Sequence, residues 1–148
     1  TLVPDGDDQL TSDHGFDLTS SGQPLTPIIE QLHALGMRVS LFMDPDLKQI
    51  ELAKKVGADR IELYTGPYAA AWGTEQLETL FQQHLAAAEL ATSLGMGVNA
   101  GHDLNLQILA KFASIPDLLE VSIGHAFTVD SLTMGMPQAV HHYNALLG

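Results

Sequence analysis

The sequence predicts an α/β fold, and more narrowly a (β/α)8 TIM barrel of which residues 1–148 form about the second half. Three observations lead there. Helix and strand signals alternate along the chain. The junctions Leu35-Gly36-Met37-Arg38-Val39 and Leu94-Gly95-Met96-Gly97-Val98 are near copies, as when one helix-to-strand turn is reused. Finally, Asn99-Ala100-Gly101-His102-Asp103-Leu104 and Ser122-Ile123-Gly124-His125-Ala126 each place a Gly-His pair directly after a short apolar run. Strands interleaved with helices imply right-handed crossovers and a parallel sheet, and such sheets gather their chemistry at the carboxyl ends of the strands.

Taken in order, Leu2-Val3 reads as the tail of a strand. Thr26-Pro27 is an N-cap and first-turn pair, and Ile28, Ile29, Leu32 and Leu35 carry the helical spacing up to Gly36. A strand follows at Arg38 to Met43. Asp44-Pro45 caps a helix bearing Leu47, Ile50, Leu52, Ala53 and Val56, which Gly57 ends before the strand Arg60 to Tyr64. Thr74 opens a long helix with Leu77, Leu80, Phe81, Leu85, Ala88 and Leu94, closed by Gly95 ahead of the strand Gly97 to Ala100. A helix from Leu104 to Ala113, the strand Glu120 to Ile123 and a terminal helix from Ser131 to Leu147 complete the series.

Alternation within the strands separates a barrel from an open sheet. Val39, Leu41 and Met43 alternate with Ser40, Phe42 and Asp44; Ile61 and Leu63 alternate with Arg60, Glu62 and Tyr64. Val98 and Ala100 stand against Gly97, Asn99 and Gly101, and Val121 and Ile123 against Glu120, Ser122 and Gly124. One face is apolar and the other largely polar. A doubly wound sheet is covered by helices on both faces and should be apolar on both, whereas a barrel has one face turned to a lumen that can be polar near its top. Four strands and a stub do not close an eight-stranded barrel, which needs roughly 250 residues. The expected coverage is from the end of strand four to the terminal helix, as part of a single domain whose amino-terminal strands are absent, and the opening at Thr1 suggests a cut chain. A small open α/β domain complete in itself is the alternative.

Composition narrows the function. With 18 Asp and Glu against 6 Lys and Arg, a formal charge of −12 opposes binding to nucleic acid or to anionic membranes, both of which need clustered positive charge. No apolar run approaches the ~18 residues of a membrane span. The absence of cysteine removes disulfides and thiolate metal sites, and fits a reducing compartment and a cytoplasmic location.

Glu62 lies inside a strand on the polar face, where a desolvated carboxylate must be paired or suited to proton transfer; pairing with Arg60 is the structural alternative. His102 stands where an imidazole can donate or accept a proton at a barrel mouth. His125 occupies the same context one unit later, with more weight on its backbone. All six cations, Arg38, Lys48, Lys54, Lys55, Arg60 and Lys111, fall on helices or at strand starts. A phosphate would therefore rest on backbone N–H groups at Gly101 to Asp103 and Gly124-His125, helped by the following helix. No lysine stands at the carboxyl end of a strand to form a Schiff base. A competing arrangement takes Glu62, His102 and His125 as a two-histidine, one-carboxylate metal triad. His14, His33, His141 and His142 read as solvated or packing residues, and Trp72, Met134 and Met136 as packing.

At these residues the chain resembles the pyridoxine 5′-phosphate synthase family of (β/α)8 barrels. The resemblance runs through Leu2-Val3-Pro4, Gln9-Leu10-Thr11-Ser12, Val39 to Asp44, Ile61-Glu62-Leu63-Tyr64-Thr65-Gly66-Pro67-Tyr68, Asn99 to Leu104 and Ile123 to Ala126. It implies a cytoplasmic transferase of vitamin B6 biosynthesis that assembles as a homooctamer. The implied substrates are small phosphorylated molecules, 3-amino-2-oxopropyl phosphate and 1-deoxy-D-xylulose 5-phosphate, joined without metal or organic cofactor. It implies Glu62 as the carboxylate that stabilises the transition state and His102 as the proton donor. Asp103, Gly124 and His125 would bind the aminoketone phosphate, and Thr11 would contact the deoxyxylulose phosphate. Two departures stand out. Asp5-Gly6-Asp7-Asp8 replaces a Glu-Lys-Arg stretch common in the family, and the amino-terminal part with its further catalytic residues is missing, so the isolated segment is expected to be inactive.

Overall fold

The computed structural model describes residues 1–148. In chain order the elements are α1 (Leu18–Ala34), β1 (Ser40–Met43), α2 (Leu47–Lys55), β2 (Arg60–Tyr64), α3 (Gly66–Ala70), α4 (Leu77–Ser93), β3 (Gly97–Gly101), α5 (Leu109–Phe112), β4 (Leu118–Ser122), α6 (His125–Met134) and α7 (Met136–Leu147). The strands form one parallel sheet in the order β1-β2-β3-β4. The strand tail expected at Leu2-Val3 is present as a single parallel bridge outside β1. There the Leu2 N–H donates to the Ser40 carbonyl at 2.8 Å, and its carbonyl accepts from Phe42 N–H at 3.0 Å.

The two faces of the sheet differ as the alternation predicts. Leu41, Met43, Ile61, Leu63, Val98 and Ala100 have no exposed surface, and they pack with Ile29 of α1, Ile50 and Ala53 of α2, Ala87, Ala88 and Ala91 of α4, and Leu109 and Phe112 of α5. Burial of each large aliphatic side chain contributes about 1.5–3 kcal/mol. On the opposite face the register aligns Ser40 with Arg60 and Gly97, Phe42 with Glu62, Asn99 and Glu120, and Tyr64 with Gly101 and Ser122. An irregularity between Val98 and Asn99 lets β4 insert Leu119 and still bring Glu120 opposite Asn99. Near the strand starts, Arg60 Nη1 donates to Asn99 Oδ1 at 3.0 Å and to Glu120 Oε1 at 2.7 Å. Arg60 is thereby committed to Glu120 and does not pair with Glu62.

Helix stops follow the glycines. After α1, α2 and α4 the chain turns through Gly36, Gly57 and Gly95 at positive φ, and the next N–H reaches back five residues: Met37 to Leu32, Ala58 to Ala53 and Met96 to Ala91, at 3.0–3.1 Å. Helix starts are less faithful to local reading. α1 begins at Leu18, not at Thr26-Pro27, because the Asp17 side chain accepts from Thr19 N–H at 3.0 Å and caps the helix. Pro24 and Pro27 are carried inside α1, each without the N–H that an i−4 bond needs. The cap of α2 is Asp46, whose Oδ1 accepts from Gln49 N–H at 3.0 Å, rather than Asp44.

Thr74 bonds back to the Ala71 carbonyl, so α4 starts at Leu77 and not at Thr74, and the short α3, which the apolar pattern does not signal, precedes it. The helix expected over Leu104 to Ala113 shrinks to α5, since Asn105 Oδ1 accepts from the N–H groups of Gln107 and Ile108 and holds a turn there. The terminal helix is two helices. Gly135, at φ 89, separates α6 from α7, and Pro137 restarts the chain in the first turn of α7. Met136, expected to pack, is 60% exposed. No helix is long and apolar enough to cross a membrane.

Asp59 ties the amino-terminal edge together. Its Oδ2 accepts from Val39 N–H at 2.7 Å and lies 2.9 Å from His33 Nε2. Burial pushes this carboxyl up, but the Val39 and His33 contacts outweigh it and hold it below the ordinary 3.8. A depressed folded-state value contributes stability that is complete above the ordinary carboxylate range and lost as pH falls through the folded value. Asp59→Asn should therefore destabilise the fold at neutral pH by about 1 kcal/mol. Denaturation curves for the two proteins should converge as the pH drops below 3.8, and a gap independent of pH would contradict the assignment.

Candidate functional site

At the carboxyl edge of the sheet, β2 ends in Tyr64-Thr65, β3 in Gly101-His102-Asp103 and β4 in Ser122-Ile123-Gly124-His125. Between them lies a cavity of about 460 Å³ lined by Thr11, Glu62, His102, Asp103, Ser122, Ile123, Gly124 and His125. The fold thus brings together all six residues singled out from the sequence. A concavity of about 490 Å³ also lies on the helical side, between α2 and α4. Its one carboxylate, Glu78, is engaged by Lys111 at 2.9 Å and Gln82 at 2.9 Å, and no reactive group is aimed into it.

Glu62 is half-buried in the cavity wall rather than desolvated, because the polar face of the sheet is open above it. Its Oε2 accepts from the Thr1 hydroxyl at 2.7 Å. Its Oε1 lies 2.5 Å from where a Cβ on Gly101 would stand, so the carboxylate rests over a glycine that no larger residue can replace without moving it. The Ser122 Cβ bounds the same point at 3.0 Å.

His102 leaves the end of β3 at φ 83, and Asp103 follows at φ 57. Two successive left-handed residues that are not glycine cost on the order of 1–3 kcal/mol each, and such strain collects at functional sites. The half-buried imidazole is held by packing between the rings of Phe42, 5.4 Å away, and Tyr64, 5.6 Å away. Burial raises the Tyr64 hydroxyl above its ordinary value of 10.0, and the Asp103 carboxylate adds to the shift, so Tyr64 is a neutral partner for the ring. Neither aromatic stands out in the sequence, where each reads as an ordinary strand residue.

His84 gives no signal in the sequence either, lying within an apolar helix pattern. It is fully buried in α4, with Nδ1 2.7 Å from the Leu80 carbonyl and Nε2 2.9 Å from the Tyr64 carbonyl, so it braces the end of β2 from the helical side.

Gly124 is the N-cap of α6, and its carbonyl accepts from Thr128 N–H at 3.0 Å. The first-turn N–H groups of a helix have no partner within it and favour an anion. Here they open beside the cavity. Neither lysine nor arginine lines it, and Asp103 is exposed at its rim, so an anionic ligand would be held by peptide dipoles and not by side-chain charge. No three His, Asp or Glu side chains converge to hold a metal ion, and Glu62, His102 and His125 do not form a triad.

Fold and site together define an α/β protein with a cavity at the carboxyl ends of its parallel strands, the edge where such folds carry their sites. The family model described as pyridoxal phosphate biosynthesis protein PdxJ matches residues 1–148, and the chain belongs to that family. It is 50% identical over 144 residues to a pyridoxine 5′-phosphate synthase of Albidiferax ferrireducens, covering 97% of this chain and 57% of that protein. It is 50% identical over 148 residues to the protein of the same name from Xanthomonas campestris pv. campestris strain B100 (99% and 58% covered). The corresponding protein of Brucella abortus strain S19 is 52% identical over 157 residues (100% and 61% covered). The chain therefore spans about three-fifths of the length of these relatives. Among solved structures, one titled "Crystal structure of Amycolatopsis orientalis BexX/CysO complex" superposes with a TM-score of 0.55 at 16% identity, over 95% of this chain and 52% of that chain, a likeness of fold alone.

The contact between Glu62 and Gly101 makes a stability prediction. Gly101→Ala should displace the Glu62 carboxylate and press on the Ser122 Cβ, at a cost of about 1 kcal/mol. A double-mutant cycle with Glu62→Ala, read by thermal unfolding, should recover most of that loss, whereas simple additivity would show that the two positions do not meet.

Proposed function

We propose that this chain is the carboxyl-terminal part of a pyridoxine 5′-phosphate synthase, with the Leu2 bridge and β1 to β4 forming the second half of a (β/α)8 barrel from the end of strand four onward. The observation that carries the reading is the meeting of Glu62, His102, Asp103, Gly124, His125 and Thr11 around one cavity, in a chain of this family. The sequential strand order, the single helix-covered face and the three-fifths coverage of longer relatives support the half-barrel.

In this reading the whole protein joins 3-amino-2-oxopropyl phosphate to 1-deoxy-D-xylulose 5-phosphate, closing the pyridoxine ring with release of phosphate and water. No metal or organic cofactor takes part. An amine condensing with a ketone passes through cationic species, and the Glu62 carboxylate, fixed over Gly101, lowers their energy electrostatically. Each loss of water needs a proton on the departing oxygen, and His102 supplies it from the cavity wall. The start of α6 at Gly124-His125 and the Asp103 backbone hold the aminoketone phosphate, while the Thr11 hydroxyl reaches the phosphate of the sugar. The protein acts in the cytoplasm as a homo-octamer, and the isolated 148 residues are inactive because the rest of the barrel supplies further catalytic groups.

The test is steady-state ring synthesis by the full-length parent protein. Glu62→Gln and His102→Asn should each lower kcat by a factor of about 10²–10⁴ while leaving thermal stability near wild type. Near-normal rates in both variants would overturn the assignment of these residues. Separately, the isolated 148 residues should produce no pyridoxine 5′-phosphate from the two substrates, and measurable turnover would refute the half-barrel reading.

A further inference from the structure

We propose that Thr65 is the positioning residue for His102: its buried hydroxyl clamps the left-handed end of β3 and so fixes where the imidazole stands relative to Glu62. The inference rests on the reading of His102 as the proton donor.

Thr65 is fully buried and is the N-cap residue of α3. A threonine at that position ordinarily turns its oxygen to the free N–H groups of its own helix. Here it makes no such bond. Instead its backbone N–H donates to the Gly101 carbonyl at 2.9 Å, and its Oγ1 lies 2.6 Å from the same carbonyl and in hydrogen-bonding contact with the carbonyl of His102. One hydroxyl proton thus serves the carbonyls of the two residues at which β3 leaves its extended path.

That placement matters because nothing polar holds the His102 ring. Phe42 and Tyr64 limit its swing, but the direction of its Cα–Cβ bond depends on the peptide at φ 83, which an L residue rarely adopts unaided. The clamp also ties together two strands. Glu62, Tyr64 and Thr65 all belong to β2 or its end, while Gly101 and His102 belong to the end of β3. Thr65 therefore holds the strand end that carries the carboxylate against the one that carries the imidazole. Loss of the hydroxyl leaves a carbonyl without its donor beside a fully buried side chain, and the turn is free to relax.

The experiment uses the full-length parent protein with Thr65→Val, which keeps the shape and removes the hydroxyl, and Thr65→Ser, which keeps the hydroxyl. Thr65→Ala serves as a second hydroxyl-free variant if valine is not tolerated. Ring synthesis and thermal unfolding are measured, together with the imidazole Cε1–H NMR line that His102→Asn removes. The hydroxyl-free variants should lose roughly tenfold to hundredfold in kcat with KM for both substrates little changed, and should displace or broaden that line. Thr65→Ser should retain both rate and line position. The proposal is overturned if the line does not move, if serine loses as much as valine, or if the hydroxyl-free variants keep the wild-type rate while His102→Asn is impaired. A line that moves in Thr65→Val while His102→Asn retains full activity upholds the clamp and refutes the proton-donor reading of His102.

Discussion

Everything at this site depends on the parallel register of the sheet. Because Phe42, Glu62, Asn99 and Glu120 share one row and Tyr64, Gly101 and Ser122 the next, the carboxylate, the imidazole and its two flanking rings meet on one face. A slip of a single residue in any strand would turn its polar side chains into the helices and its aliphatic ones into the cavity. The register is secured from both sides. The helical face offers a continuous apolar surface with no place for a charge, and the Arg60–Asn99–Glu120 hydrogen bonds lock three strands together near their starts.

The division between the two ends of the sheet is also electrostatic. Arg38 and Arg60 both meet Glu120 near the strand starts, so their charge is spent before it can reach the cavity. The carboxyl edge has glycines, a helix start and exposed Asp103 instead. An anion there would be bound by oriented peptide N–H groups at close range, with the net charge of −12 opposing its approach over longer distances. That favours a site selective for ligands that fit the loop geometry over one that attracts anions in general.

Strain and its restraint are adjacent. The left-handed residues His102 and Asp103 follow the glycine that leaves room for Glu62, and Thr65 closes on the carbonyls of Gly101 and His102 from the neighbouring strand. His84 braces the same strand end from the helical side. The carboxyl edge of the sheet is therefore supported by residues that themselves stay out of the cavity, as a site needing defined geometry requires.

The amino-acid sequence makes legible the parallel α/β organisation, the polar and apolar faces, the glycine helix stops and the two Gly-His loops, because each is written in residues within one turn or one strand of each other. Gly36, Gly57 and Gly95 end their helices through bonds spanning six residues, and strand alternation needs only successive side chains. Its failures at the start of α1, at Asn105 and at Gly135 were local too, where one side chain or one positive φ outweighed an apolar pattern. Long-range packing is what pairs Arg60 with Glu120 rather than Glu62, sets Phe42 and Tyr64 beside His102, and carries the Thr65 hydroxyl across 36 residues to Gly101 instead of to its own helix. Those choices follow from strand register and from the crossovers that set it, which no short stretch of sequence contains.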